Sequence, residues 1–167
     1  MKGWLVGVVI LGVLIGMGSL SSAEEKEGNL NLSISTDKKE YQMGESIQCT
    51  LLLGNVGNQP LVVNKRLVVN YDATFPHEVL FRITGPDGKL LEFIPIIKVG
   101  LPEPEDFTTL PPSEFIMSTY ELSLYFSFTK EGKYSIQAIY ENYYQPVGMK
   151  VWKGSITSNI VEIKLSK

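Results

Sequence analysis

The amino-acid sequence predicts an all-β sandwich of about seven to nine strands, because three observations agree. Short runs of alternating apolar and polar residues recur along the chain, as in half-buried strands. Loops rich in glycine, proline and asparagine separate these runs. Helical periodicity is not sustained anywhere after residue 23. We therefore expect a single β-domain over residues 30–167.

The amino-terminal residues 1–23 have the layout of a secretory signal peptide. Lys2 precedes an apolar run at 4–17, and small residues follow at 21–23. We expect cleavage after residue 23, a mobile lead-in at 24–29, and export of the protein to the periplasm, the cell surface or the medium. The alternative is an uncleaved anchor, because an apolar stretch of about 20 residues can span a bilayer. Membrane contact would then come only through this segment.

The composition argues against several functional classes. The formal net charge is −3, whereas a nucleic-acid surface needs clustered lysine and arginine. His77 is the only histidine, and no Gly-x-Ser-x-Gly elbow surrounds any serine, so the sequence predicts a protein that is not an enzyme. No cofactor motif or metal-ligand spacing is present, and we expect neither a cofactor nor a metal.

The first two predicted strands lie at 30–35 and 46–53. In the first, leucine and isoleucine alternate with asparagine and serine, and in the second, Cys49 alternates in phase with three aliphatic residues. The polar segment 36–46 between them predicts a turn. Cys49 is the only cysteine, so an intrachain disulfide is impossible. Its phase predicts a buried, inert thiol.

The middle of the chain predicts shorter strands and one hairpin. The loop 54–60 contains two glycines, two asparagines and a proline, and β-branched strand pieces follow at 61–70. Residues 77–94 form the clearest hairpin, because the Gly-Pro-Asp-Gly sequence at 85–88 suits a tight turn. Residues 95–112 contain five prolines and predict an extended surface loop.

This proline-rich loop also carries an acidic group. Glu103, Glu105 and Asp106 offer hard oxygen ligands that a calcium ion could use, although the spacing is not that of an EF-hand. We nevertheless expect a solvated acidic loop that keeps an edge from pairing, with a calcium site as the alternative. The following residues 113–128 predict a strand and an irregular or short helical turn, because their apolar residues lie in mixed register.

The last two predicted strands lie at 132–142 and 154–165, and both alternate cleanly. In the first of them, Tyr134, Ile136, Ala138 and Tyr140 share one face, which we expect to be the core face.

The sequence Lys-Glu-Gly-Lys-Tyr-Ser-Ile at 130–136 resembles the tyrosine corner of immunoglobulin-like domains. The resemblance implies that the hydroxyl of Tyr134 binds backbone at a crossover between sheets. It places Ile136 at the position of the second cysteine of antibody-type domains and Cys49 near the first. The strand-C tryptophan and the disulfide of those domains are missing.

A second stretch, 41–63, resembles a wider group of exported bacterial and archaeal immunoglobulin-like domains. Its Tyr-x-x-Gly-Glu-x-Ile and Asn-x-Gly motifs are similar to those of cell-adhesion-related bacterial repeats and of the bacterial intracellular proteinase inhibitor fold. The resemblance spans about residues 30–165. It implies an immunoglobulin-like sandwich, and function by analogy only.

The candidate ligand-binding residues lie in two loops that such a sandwich places at one pole. They are Tyr143, Tyr144, Trp152, Asn55 and Asn58. Rigid aromatic rings beside asparagine amides are typical of a binding surface, whereas a tryptophan at the start of a last strand is also typical of a cap on the core. Burial of Trp152 distinguishes the two interpretations.

The sequence thus predicts a non-catalytic, exported binding or structural module of the cell envelope. We expect contacts to a protein partner through loops at one pole. Two alternatives remain open: a carbohydrate-binding module that stacks sugars on Tyr143, Tyr144 and Trp152, and a protease inhibitor that presents loops to an active-site cleft.

Overall fold

A computed structural model describes residues 29–71, 77–94 and 99–167. The predicted signal peptide and residues 24–28 of the predicted lead-in lie outside the described residues.

The described chain folds into strands joined by turns and two single 3₁₀ turns at Pro104–Asp106 and Leu122–Leu124. The strands are β1 (Leu30–Thr36), β2 (Glu40–Gln42), β3 (Gln48–Asn55), β4 (Leu61–Asn64), β5 (Val79–Thr84), β6 (Phe107–Leu110), β7 (Phe115–Glu121), β8 (Gly132–Asn142) and β9 (Gly154–Ser166). The predicted all-β class is therefore confirmed.

Two sheets face each other across the core. One has the order β1-β3-β7 and the other the order β2-β9-β8-β5, with β2 parallel to β9 and the other pairs antiparallel. Strands β4 and β6 form a separate two-stranded ribbon. Along the two larger sheets, the chain changes sheet between β1 and β2, β2 and β3, β3 and β5, β5 and β7, and β7 and β8. Such crossing between two sheets is typical of immunoglobulin-like sandwiches.

Alternating side chains from both sheets build the core. In β3, Cys49, Leu51 and Leu53 are fully buried, and every second residue between them is half-buried. The core face predicted for β8 is also correct, because all four of its residues are buried. A bulge in β9 near Ser158 lets Ser158 Oγ accept a hydrogen bond of 2.9 Å from the N–H of Ala138.

Three segments differ from the sequence prediction. The proline-rich segment is not loop throughout, because β6 lies within it and buries Phe107 and Leu110 on the β4–β6 ribbon. The returning arm of the 77–94 hairpin pairs only at isolated bridges, which involve Leu90 and Phe93. The predicted turn before β3 contains the short strand β2, since three residues there pair with the end of β9.

Tyrosine hydroxyls hold several irregular segments to strands. Tyr71 Oη hydrogen-bonds both the N–H and the C=O of Phe81, and Tyr120 Oη donates to the C=O of Leu67 at 2.7 Å. Tyr140 Oη contacts both backbone groups of Asn64 at 3.2 Å. Burial raises the pKa of Tyr71 to about 12, so this hydroxyl stays protonated at neutral pH.

Candidate binding pole

The loops that carry the predicted ligand residues do meet at one end of the sandwich. Strand β1 runs beside β9 in the same direction, because Ile34 bonds Asn159 while Lys39, further along the chain, accepts from Lys164. The start of β1 therefore lies near the start of β9. We call this end the amino-terminal pole; it comprises Asn29, the loop 55–60, the turn 111–114 and the loop 143–153.

Hydrogen bonds tie these loops to one another. Val56 N–H donates to the C=O of Asn29 at 2.8 Å, and Trp152 N–H donates to the C=O of Val62 at 2.8 Å. Ser113 N–H donates to the C=O of Asn55, also at 2.8 Å. Backbone groups thus connect the loop 55–60 to Asn29, the turn 111–114 to Asn55, and the loop 143–153 to β4.

Asn55 organises this end from inside and is not available to a ligand. Only 1% of the residue is exposed. Its side-chain amide donates to the C=O groups of Gln59 at 2.7 Å and Leu110 at 2.9 Å, and its Oδ1 accepts from the N–H of Gly57 at 3.0 Å. The prediction that Asn55 contacts a ligand is therefore wrong, because its amide is buried and its described bonds go to backbone groups of its own loop and of β6. Asn58, in contrast, is exposed.

Replacing Asn55 by leucine should lower the free energy of unfolding by roughly 2 kcal/mol, because backbone groups of three residues lose their partner and the bond to Leu110 is buried. Urea denaturation followed by circular dichroism measures the change. The matched control is Asn58→Leu, which alters an exposed residue of the same loop and should change stability by less than about 0.5 kcal/mol. Equal effects of the two substitutions would contradict the assigned role of Asn55.

Trp152 lies in the core and not on the surface. The residue is 8% exposed, and its ring stacks on Tyr140 with centroids 5.7 Å apart. Its C=O accepts a bond of 2.6 Å from the side-chain amide of Asn142. Gly154 has φ of +145°, and a Cβ there would lie 3.2 Å from the Trp152 ring. The hypothesis of three exposed stacking rings therefore fails at Trp152, which caps the sandwich.

The exposed part of this loop is a tight turn. Met149 N–H donates to the C=O of Pro146 at 3.2 Å, and Gly148 has φ of +80°, as the third residue of a type II turn requires. Val147 therefore stands at the tip and is completely exposed. Tyr143 is 61% exposed, whereas Tyr144 is half-buried.

The sequence did not indicate Val147 and Val56 as surface residues of this pole. Val56 is 63% exposed, next to the buried Asn55. Turn-forming residues flank both valines in the sequence. A valine in such a turn is expected to be exposed, and this position could have identified both as surface residues. Together with Tyr143 they place apolar side chains of two loops in water.

The three residues predicted to be structural lie as expected. Cys49 and Ile136 are fully buried, in opposite sheets of one core. Tyr134 Oη donates to the C=O of Lys130 at 2.8 Å and accepts from the N–H of the same residue at 3.1 Å. This is the backbone contact that the tyrosine-corner resemblance implies.

Burial raises the pKa of the Cys49 thiol to about 12, so the reactive thiolate is scarce at neutral pH. We expect iodoacetamide to modify Cys49 in the native protein at pH 8 at least about a hundred times more slowly than in urea-unfolded protein. Mass spectrometry of timed samples measures the rate. Rapid modification without denaturant would contradict burial of the thiol.

A buried ion pair joins the segment after β4 to the start of β5. Glu78 is 2% exposed and accepts from Arg66 Nε at 2.8 Å and from Arg66 Nη2. Its second oxygen accepts from the N–H of Val68 at 3.1 Å. Arg66 also donates to the C=O of Gly100 at 3.1 Å and lies 3.6 Å from Asp106. Neither residue belongs to a sequence motif, so nothing in the sequence indicates this pair.

Within the described ranges, no serine is hydrogen-bonded to His77. Its Nδ1 lies 3.6 Å from the carboxylate of Glu141, and Ser155 Oγ hydrogen-bonds the same carboxylate at 3.2 Å. The serine therefore contacts the acid and not the imidazole. Proton transfer from a serine to this histidine, which a hydrolytic triad requires, has no geometric basis in this arrangement.

The acidic group predicted as a possible calcium site has local partners. The N–H of Glu103 donates to Asp106 Oδ2 at 2.8 Å, while Glu105 is exposed in the same 3₁₀ turn. In the described part of the chain, no three histidine, cysteine or acidic side chains lie close enough to hold a metal ion. The carboxylate of Asp106 instead forms an ion pair with Arg66.

No helix within residues 29–71, 77–94 and 99–167 has both the length and the apolar character needed to cross a bilayer.

The chain was compared with protein families, with curated proteins and with solved structures. No protein-family model and no curated protein matches the chain. Among solved structures, the chain is similar to the CARDB domain of the PF1109 protein from Pyrococcus furiosus, which was solved in complex with di-metal ions. The TM-score is 0.43 at 14% identity, and the match covers 83% of this chain and 89% of that one. A likeness at this level supports no inference about ligands, and the chain is assigned to no family.

Proposed function

We propose that this protein is an exported, non-catalytic binding module of the cell envelope, built on an immunoglobulin-like sandwich. It holds a protein partner through the amino-terminal pole. The observation that carries the proposal is the exposure of Val56, Tyr143 and Val147 on loops that are fastened to the core.

Fastened loops favour binding for a thermodynamic reason. A loop that is already ordered loses little conformational entropy when a partner covers it. Asn55 and Asn142 each bond backbone groups behind these exposed side chains. Apolar tips on a rigid frame thus offer contact area at low entropic cost.

The surroundings of these side chains suit a protein interface. Lys153 and Glu114 are exposed at the same pole, so this end of the sandwich carries charged as well as apolar side chains. Protein interfaces commonly combine an apolar centre with a polar rim. A glycan partner is less well supported, because Tyr143 is the one strongly exposed ring of the three that were predicted to stack.

Site-specific photo-crosslinking tests the proposal. A photoreactive amino acid replaces Val147 in the full chain, produced in its own envelope. The control replaces Leu90, which is 65% exposed beside the turn after β5, at the opposite end of the sandwich. We expect one discrete protein adduct from position 147 and none from position 90.

A second arm tests whether the pole itself selects the partner. The double substitution V56S/Y143S should abolish the adduct from position 147, whereas Ile160→Ser, on exposed residue 160 of β9, should leave it intact. Equal adducts from positions 147 and 90, or no adduct at either, would overturn the binding proposal. Export is tested separately, by digestion of the protein in intact cells with an external protease.

A further inference from the structure

Of the four edges of the two larger sheets, two are covered by specific contacts and a third is very short. At the edge of β5, Val79, Phe81 and Ile83 bond Val68, Tyr71 and Leu91 respectively. At the edge of β1, the side chain of Asn159 bonds the N–H and C=O of Ile34 at 2.9 and 3.0 Å. The edge strand β2 is only three residues long. These are ordinary protections against unwanted strand pairing.

The fourth edge, β7, differs from the others. It is seven residues long and contains no proline, lysine or arginine. Backbone hydrogen bonds join Ile47 to Leu122 and Asn55 to Glu114. Because backbone groups alternate in direction along a strand, the N–H and C=O groups of Ile116, Ser118 and Tyr120 also point toward β3.

The backbone groups of Phe115, Met117 and Thr119 consequently point outward from the sheet. No hydrogen bond from the described residues reaches them. The side chains of Phe115 and Met117 are 63% and 62% exposed on the outer face of the same strand. An open ladder and an apolar surface therefore coincide at this edge.

We propose that β7 pairs antiparallel with β7 of a second copy of this chain, about a two-fold axis at Met117. In this register Met117 lies opposite Met117 of the second copy, and Phe115 lies opposite Thr119. The two three-stranded sheets become one continuous six-stranded sheet.

Charge and register favour a second copy as the occupant. No charged side chain lies between Glu114 and Glu121, so the paired segments meet without repulsion between like charges. Ser113 has φ of +65°, which ends the extended backbone before Glu121 of the second copy could pair. All the outward backbone groups of Phe115, Met117 and Thr119 are then satisfied within the dimer. The inference does not depend on the proposed function.

Sedimentation equilibrium of the full chain tests the mass. We expect twice the mass of one chain at micromolar concentrations. Met117→Lys places two ammonium groups at the axis and should raise the dissociation constant of the dimer by roughly tenfold or more. Ile160→Lys, at a residue 58% exposed on the other sheet, should leave the dimer unchanged.

Variants of opposite charge at position 117 show whether M117K acts through the dimer contact or by destabilising the fold. Equimolar M117K and M117E should form a heterodimer, although each alone is largely monomeric. M117C should also form an intermolecular disulfide, since paired Cα atoms lie about 5.5 Å apart in such a ladder. F115C should not cross-link, because it faces Thr119.

Each of several results would overturn the proposal. One is a wild-type protein that is monomeric at about 100 micromolar, a concentration well above the dissociation constant of a stable dimer. Another is a dimer whose dissociation constant M117K does not change. Two further results are failure of M117K and M117E to associate with each other, and equal disulfide cross-linking of M117C and F115C. A monomer that incorporates an added peptide at this edge would assign the edge to another partner and overturn it as well.

Discussion

Trp152→Ala is expected to lower the free energy of unfolding by about 3 to 5 kcal/mol. The ring is 8% exposed and stacks on Tyr140, whose hydroxyl in turn holds both backbone groups of Asn64. Truncation removes apolar burial and leaves a cavity between the loop 143–153 and the β4–β6 ribbon. Urea denaturation followed by far-ultraviolet circular dichroism measures the loss without depending on tryptophan fluorescence.

Tyr143→Ala is the matched control, because it removes an aromatic ring from the same loop. Tyr143 is 61% exposed, so its removal should change stability by less than about 0.5 kcal/mol. If Trp152→Ala cost less than about 1 kcal/mol, the ring would not be the cap that its contacts indicate.

Arg66→Ala is expected to cost about 3 to 5 kcal/mol, because it leaves the carboxylate of Glu78 buried without its cation. The same substitution releases the C=O of Gly100 and the contact with Asp106. Thermal and urea denaturation should both report the loss, and the m-value should stay constant if the unfolding remains two-state.

A double variant separates the effect of the buried charge of Glu78 from that of the other contacts of Arg66. The double variant R66A/E78Q should be more stable than Arg66→Ala alone, because glutamine places no charge in the buried site. Arg82→Ala, at an exposed residue of β5, should change stability by less than about 0.5 kcal/mol. A double variant that is less stable than Arg66→Ala alone would show that the buried charge of Glu78 is not the source of the loss.

The parts of this structure that follow from local chemistry were predictable. The alternation around Cys49 in β3 and around Ile136 in β8 marked the core faces correctly, since period-two burial is a property of one strand. Tyr134 was also predictable, because its hydroxyl bonds a backbone only four residues away.

The candidate site was less predictable, because burial of a single loop residue depends on segments distant in the sequence. The sequence around Asn55 is typical of an exposed turn. In the fold, its side-chain amide donates to the C=O of Leu110 at 2.9 Å, a contact between residues far apart in the sequence. From the sequence alone, Glu78 would be expected on the surface. In the fold, its carboxylate is buried and accepts hydrogen bonds from Arg66 and from the N–H of Val68. The strand β6 was hidden among prolines, which exclude a central strand but permit a two-stranded ribbon.

The tyrosine contacts have a consequence for the environments that the fold tolerates. Phenol hydroxyls of Tyr71, Tyr120 and Tyr140 join segments that many exported domains join through sulfur. Glutathione and thioredoxin reduce disulfides but do not break these tyrosine hydrogen bonds. The single thiol, that of Cys49, is buried in the core. The domain should therefore keep the same unfolding midpoint with or without dithiothreitol, and fold equally well on the reducing and the oxidising side of a membrane.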